Sequence, residues 1–424
     1  MPLGIIKSVE QCLLTVSTGQ GYADYTLTKG QDPANCVPFG TYVAAQVANS
    51  TPNQNVFDFV MLDGPPRVRA RRGGATGTHY TAIYVVEFEP TKIKVQQGSW
   101  SIIASATTDT VTLGDSIVKN NSALITYYRY NSSSVVPRDM MVASKVLSNT
   151  QIQMERSYTA STVCDGAYYV MEALNGEWSV THYDSGNLTG VIVNYTIPSV
   201  TVNRTFLIGS NKTDETSTAI EGWAWFCRLQ NATSVQLYRW NASSNDRYYF
   251  QVIECADDSI FVQHRYVYEA TLAYNEWTLP QAVDPQRAIA HNANTHMPLT
   301  AADGSAMHLG VCRYYLKTNG TVLRTERFLA SPDDCFFVAS VIEFTGTEFF
   351  CEGTVTVDDV LTSGIDVNLF RREDDMLVGT DTTIAGGVFA IPSRFHDEYH
   401  YLVAKSLVSG TNSVVLDWLY PTVS

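Results

Sequence analysis

The stretch VRARR at 68–72, followed by YTAIYVVE at 80–87, decides the fold, because the chain goes on to repeat it. The further copies are IQMER at 152–156 with YYVME at 168–172, VQLYR at 235–239 with YYFQVIE at 248–254, and LRTER at 323–327 with FFVASVIE at 336–343. Each copy reads as a short alternating strand ending in arginine, a polar turn, and an aromatic, β-branched strand ending in glutamate. Arg72, Arg156, Arg239 and Arg327 are spaced 84, 83 and 88 residues apart. Glu87, Glu172, Glu254 and Glu343 are spaced 85, 82 and 89 apart. A fixed period means one structural unit used several times, and a period of this length suits a small β-sandwich better than a solenoid coil.

Working outward, the period predicts sandwich modules at 1–90, 91–175, 176–258 and 259–350, with a different β module at 351–424. Alternation at 5–17, apolar runs such as 191–197, and turn residues such as Asn175-Gly176 all read as strand and hairpin. No segment sustains a helical period. The predicted fold class is therefore all-β, a tandem array of small antiparallel sandwiches. Modules this small are near the lower limit of independent stability, so they are expected to lean on one another or on neighbouring subunits. The stretch 284–298 lacks clean alternation and reads as a long loop, a candidate contact surface.

Composition narrows the function classes. Charged residues are only 17% of the chain and the net charge is −14, which disfavours phosphate backbones and anionic lipid. The basic run at 67–72 reads first as a strand edge, so no nucleic-acid partner is expected. The first residues carry no basic and apolar leader, and no 18-residue apolar run exists, so no export signal and no membrane partner are expected. The eight cysteines are scattered without a C-x-x-C pair and read as free, mostly buried thiols. The ten N-x-S/T triplets read as turn chemistry.

Motifs for catalysis are missing: G-x-S-x-G, the P-loop, G-x-G-x-x-G and H-E-x-x-H do not occur. His396, Glu398 and His400 could share a strand face, and His291 and His296 are close in sequence, but neither group supplies a closed ligand set. The acidic pairs at 257–258, 333–334, 358–359 and 374–375 read as turns, with calcium as the alternative. No catalytic, metal or cofactor residue is assigned. The repeated arginines and glutamates read as structural positions, each either paired across the sheet or bound to a loop backbone. Trp223, Trp225, Tyr238 and Trp240 cluster in the third module, as core or as a surface for a glycan or protein partner.

Two resemblances add to this. The run VEFEPTKIKVQQG at 86–98 resembles a phrase of tailed-bacteriophage virion structural proteins, in which a V-E-F strand is followed by a V-x-V-Q-x-G strand. Parts of it recur at 252–255 with 260–264, and at 341–344. The tail is similar to the carboxypeptidase-regulatory-like, transthyretin-like sandwich through Leu369, Arg371, Gly379, Thr380, Thr382, Gly387 and Phe389. The resemblance implies a non-enzymatic virion component, assembled in the host cytoplasm. It implies capsid or tail proteins as partners, self-association, and a decoration, collar, tail or fibre position. A glycan-binding adhesion protein at a fibre tip, reading a host surface glycan, is the alternative.

Overall fold

The structure, a computed structural model, describes residues 4–44, 56–130, 137–160, 162–214, 216, 225–239, 245–270, 274–293, 312–317, 320–326, 334–345, 349–357, 360–371, 377–393, 400–405 and 414–419. It is all-β, and its described residues form two compact units, Ile5–Phe344 and a second comprising Thr345–Ser424 with Met1–Gly4.

Within the larger unit one strand plan recurs. Repeat one has β1 (Ile6–Val16), β2 (Tyr22–Thr26), β3 (Cys36–Ala44), β4 (Phe57–Leu62), β5 (Arg67–Arg72) and β6 (His79–Phe88). They form two antiparallel three-stranded sheets, in the orders β1-β6-β3 and β2-β5-β4. Repeat two has β7 (Ile93–Ile102), β8 (Thr108–Thr112), β9 (Ser122–Tyr130), β10 (Ala143–Ser148), β11 (Gln151–Glu155) and β12 (Cys164–Ala173). Repeat three has β13 (Trp178–Leu188), β14 (Ile192–Thr196), β15 (Thr205–Thr213), β16 (Phe226–Asn231), β17 (Ser234–Tyr238) and β18 (Asp246–Cys255). Repeat four has β19 (Phe261–Ala270), β20 (Tyr274–Thr278), β21 (Ala288–His291), β22 (Arg313–Leu316), β23 (Val322–Glu326) and β24 (Asp334–Glu343). The sheet orders are the same in every repeat: first-sixth-third and second-fifth-fourth.

The sixth strand is central to its sheet and nearly all buried, as in YVVEF at 84–88, which explains its unbroken apolar run. The fifth strand is central to the other sheet. It alternates inside and outside, as in Arg67–Arg72. The arginine and glutamate strands of one repeat thus lie in different sheets and do not pair. The stretch 284–298 also differs from its reading as a loop: Ala288–His291 is the third strand of repeat four and is wholly buried. A strand covered on both faces carries no alternation to read. Residues 294–298 lie outside the described residues.

The third and fourth strands are sheet edges, each with one row of backbone N–H and C=O groups outside the ladder. Side chains of the next repeat satisfy these groups. Tyr127 Oη of repeat two donates to Pro38 O at 2.9 Å and accepts from Gly40 N at 3.1 Å. Tyr169 Oη donates to Phe59 O at 3.0 Å and accepts from Met61 N at 3.1 Å. Gln251 of repeat three takes both backbone groups of Leu124, at 2.8 Å each. Ser210 Oγ accepts from Ser144 N and donates to Ser144 O, at 2.9 and 3.2 Å. His291 Nε2 of repeat four meets Leu207 O at 2.8 Å.

Repeat one completes the cycle against repeat four. Thr41 Oγ1 accepts from Tyr314 N at 2.9 Å and donates to Tyr314 O at 3.4 Å. Tyr84 Oη accepts from Leu316 N at 2.6 Å and bonds the Ala290 backbone. Register makes these contacts equivalent. Pro38, Leu124, Leu207 and Ala290 each lie opposite the residue two before the repeat's glutamate. The tandem array therefore closes head to tail into a ring, the outcome when a heterologous interface repeats with a rotation that closes. Phe88, Ala173, Cys255 and Phe344, which follow the glutamates, all join one core containing residues from every repeat.

Close packing fixes two glycines. A Cβ on Gly166 would lie 1.8 Å from Tyr127 O, and one on Gly40 would lie 2.2 Å from the Phe59 ring. Both positions let the tyrosine bridges approach the neighbouring backbone.

The smaller unit has a four-stranded antiparallel sheet in the order β29-β28-β31-β32 (Leu377–Thr382, Asp366–Arg371, His400–Lys405, Val414–Leu419). It also has the pair β25 (Phe349–Thr354) with β30 (Val388–Ser393), and the short hairpin β26 (Thr356–Val357) with β27 (Val360–Leu361). Its core is Ile365, Val367, Leu369, Phe389, Ile391, Leu402 and Ala404. Gly386 and Gly387, at φ +83 and +67, make the tight turn. It is not a hairpin within one sheet, because β29 and β30 pair in different sheets.

The Tyr127→Phe variant keeps the ring's volume but strips the partner from Pro38 O and Gly40 N. Leaving buried backbone groups unpaired costs about 1–3 kcal/mol. Urea denaturation should show the midpoint falling accordingly, with residues 5–344 still unfolding in one transition. An unchanged midpoint would mean that the bridge does not hold the repeats together.

Candidate functional site

The repeated arginines are buried and aimed at loop carbonyls. Arg72 donates to Ser17 O, Gln20 O, Thr76 O and Gly77 O, at 2.8–3.1 Å. Arg156 does the same to Ile103 O, Ala106 O and Thr162 O. In both repeats the guanidinium pins the turn between the first and second strands to the turn between the fifth and sixth. Five fixed N–H donors suit that task, since backbone carbonyls there have no ladder partner. Arg239 donates to Gly190 O at 3.0 Å and pairs with Asp246 at 2.8 Å, both side chains being fully buried. Arg327 lies outside the described residues.

The glutamates serve a different loop. Glu87, Glu172, Glu254 and Glu343 accept the backbone N–H of Asp32, Val118, Thr201 and Asp284, at 3.2, 2.6, 2.7 and 2.8 Å. In the first three repeats that residue caps a single 3-10 turn leading into the third strand. Of the two readings open in sequence, binding to a loop backbone is the one found, and the charges do not meet each other. The V-Q phrase has a similar basis. Gln96 and Gln263 exchange two hydrogen bonds with the backbones of Asp115 and Gln281. Glu10, at the same register, accepts from Thr28 N.

The next residue of the first strand reaches the preceding repeat. Gln97 Nε2 donates to Pro33 O at 2.8 Å, His182 Nε2 meets Lys119 O at 3.0 Å, and His264 Nε2 meets Val202 O at 3.2 Å. Gln11 Nε2 donates to Leu316 O at 3.3 Å. Burial lowers the pKa of His182 and His264, and pushes His291 down to about 4. All three histidines sit at borders of repeat three.

Of the aromatic cluster, read in sequence as core or as a partner surface, Trp225 is core. Trp225 is 1% exposed, packs in the core of repeat three and donates its indole N–H to Asp246, with Arg239 over its ring. A ring sealed in this way cannot stack on a sugar. Tyr238 is half-buried against Phe226, ring centroids 4.8 Å apart. Trp223 and Trp240 lie outside the described residues.

The other candidates resolve into structure. His291 packs edge-on against Phe39 and Phe206 and is not a ligand centre. Among the described residues no group of three or more metal-capable side chains converges. His296, His396 and Glu398, and the pairs at 358–359 and 374–375, fall outside the described residues, as does the side chain of His400. Asp257 accepts from Ser259 N, a turn bond. Cys12, Cys36, Cys164, Cys227 and Cys255 are free and buried, and burial raises their thiol pKa values, that of Cys255 to about 12; Cys312 is buried as well. The basic run is matched by carboxylates: Arg67 and Arg69 pair with Asp24, and Arg71 with buried Asp58.

Sequence reasoning missed a groove between repeats three and four. It encloses about 280 Å³ and is lined by Arg228, Gln230, His264, Arg265, Tyr266 and Ser340 above an apolar floor that includes Leu207, Leu229 and Val338. Arg228 lies 3.9 Å from the Tyr266 ring centroid and donates to Gln236 Oε1 at 3.0 Å. His264 Nδ1 meets Ser340 Oγ at 3.0 Å. No sequence motif marks this groove, because its residues come from β15, β16, β19 and β24 of two repeats.

Compared with known proteins, the sequence matches no protein-family model and no curated protein.

The histidine borders make the ring sensitive to acid. An imidazole held neutral in the fold and titrating near 6.5 when unfolded stabilises fully above about pH 6.5, and its contribution is lost as pH falls toward the folded value. For His291 that window runs from about 6.5 down to about 4, and the loss is on the order of 3 kcal/mol. Thermal melts from pH 7.5 to 4.5 should show stability falling through this range. His182→Gln with His264→Gln, the residue found at Gln11 and Gln97, should make the slope shallower, leaving the contributions of buried His291 and His79. An equally steep slope in that double variant would place the acid sensitivity elsewhere.

Proposed function

We propose that this chain is a non-enzymatic structural component of a tailed-phage particle. On this reading it docks on capsid or tail neighbours as a decoration, collar or fibre protein, and associates with further copies of itself. The observation that carries the reading is how the ring treats its edges. The third-strand edges, and the fourth-strand edges of repeats one, two and four, are bonded by the next repeat, whereas the second strands β2, β8, β14 and β20 stay at sheet edges and show outward residues such as Tyr22, Ile192 and Tyr274. An edge left open on a rigid body is a template for a partner strand or loop. The buried arginines and glutamates support the same reading, since they are engaged by loop backbones. The phage assignment itself rests on the resemblance of the V-E-F and V-Q-x-G phrases.

A second reading, a glycan-binding adhesion protein, is favoured by the groove between repeats three and four.

The test is where the chain sits. A tag on the chain should appear at defined positions on intact particles by electron microscopy. Truncation after Phe344 should leave the thermal transition of residues 5–344 in place, because they form their own compact unit. The same truncation should reduce incorporation into particles severalfold. A full-length chain that is absent from particles, or that remains strictly monomeric and turns over a substrate, would overturn the proposal.

A further inference from the structure

At the other borders of the ring, charge is neutralised within the protein. Between repeats one and two, Arg71 is held by Asp58 and Arg129 by Asp165. Between two and three, Glu155 takes Lys145 and Lys212 and hydrogen-bonds Tyr249, while Asp184 takes Arg247. Repeat four, beside Tyr80 of repeat one, has Glu326 holding Arg313 and Tyr315.

The border between repeats three and four departs from this pattern. The residue before the repeated arginine is Glu155 in repeat two and Glu326 in repeat four, but Tyr238 in repeat three. The first-strand position that holds Asp184 in repeat three holds Tyr266 in repeat four, both lying opposite the residue five before the repeat's glutamate. Both carboxylates are thus replaced by tyrosines, while Arg228 keeps the place that Lys145 has in repeat two and Arg265 stands where repeat three has Tyr183. Arg228 keeps only an amide oxygen and an aromatic face. Arg265 is exposed and, among the described residues, has no carboxylate partner. Among the described residues no acidic side chain lines the groove. In a chain of net charge −14, two guanidiniums without carboxylates at one cleft are a local reversal of sign.

We infer that this groove binds a carboxylate-bearing sugar residue, a uronic or sialic type of acid. The inference deepens the glycan-binding reading and is independent of where the chain sits in a particle. A planar carboxylate matches the guanidinium fork of Arg228 or Arg265. The Tyr266 ring, 37% exposed, carries Arg228 over one face and leaves its solvent-exposed part to contact sugar C–H groups. The Gln230 amide offers a donor and an acceptor to hydroxyls. A volume of about 280 Å³ exceeds what an inorganic anion fills and accommodates one sugar ring.

Ligand-observed NMR and calorimetry on the full chain test this with glucuronate and N-acetylneuraminate, against glucose, inorganic phosphate and a short glutamate-rich peptide. Both acidic sugars should bind at least tenfold more tightly than glucose. Arg265→Gln should remove at least tenfold of that affinity with an unchanged melting temperature, and Arg228→Gln should do so to a similar degree. Equal binding of glucose and glucuronate would overturn the carboxylate inference and leave the glycan reading standing. Absence of binding by any sugar at millimolar concentration would overturn both. Phosphate binding as tightly as the acidic sugars would reduce the groove to a bare anion spot. Tighter binding of the peptide would make it a protein contact, and either result overturns the inference.

Discussion

The structure depends on one constraint: the backbone groups along an edge strand must find partners. A three-stranded sheet has two edges, and small sandwiches have a large share of such groups. Here the third strand of each repeat, and the fourth strands of repeats one, two and four, hand theirs to the following repeat. Pro38 and Gly40 meet Tyr127, Leu124 meets Gln251, Leu207 meets His291, and Tyr314 meets Thr41. Each direct bond contributes only about 1 kcal/mol, but leaving the group buried and unpaired costs more. Polar side chains with both a donor and an acceptor suit this work, which explains hydroxyls, an amide and an imidazole at strand positions that would otherwise be apolar.

The second consequence is loop order. A ring that is tight at its borders needs its turns held, and the repeated charges do that. Arg72 and Arg156 gather carbonyls from two turns, while the four glutamates hold the entry to the third strand. Such groups recur because each repeat faces the same problem. Acid sensitivity enters where repeat three meets its neighbours, because there the latch is histidine instead of glutamine, and also at buried His79 of repeat one.

Much of the strand plan was legible in the sequence. The spacing of Arg72 to Arg156 and of Glu87 to Glu172 marks one unit, and the alternation of Arg67–Arg72 marks a strand with one face inside. What was not legible depended on three dimensions. Ala288–His291 hid because a fully buried strand has no alternation. The sheet membership of the arginine and glutamate strands hid because sequence neighbours need not be sheet neighbours. Trp225 read as a candidate surface residue because spacing alone does not distinguish a core face from a solvent face. The groove was invisible because Arg228 and Tyr266 lie far apart in the chain and are joined only by the border of two repeats. Ring closure was equally hidden, since Thr41 and Tyr314 lie 273 residues apart.

The chain's first and last repeats are latched as firmly as those adjacent in sequence. Native-state hydrogen exchange measures this directly at the amides of Gly40, Met61, Leu124, Ser144, Tyr314 and Leu316, each of which gives its proton to a side chain of another repeat. A closed ring predicts that all exchange only through unfolding of the whole unit, with similar protection. Exchange of Tyr314 and Leu316 many times faster than Gly40 and Leu124 would contradict closure and leave an open row of repeats.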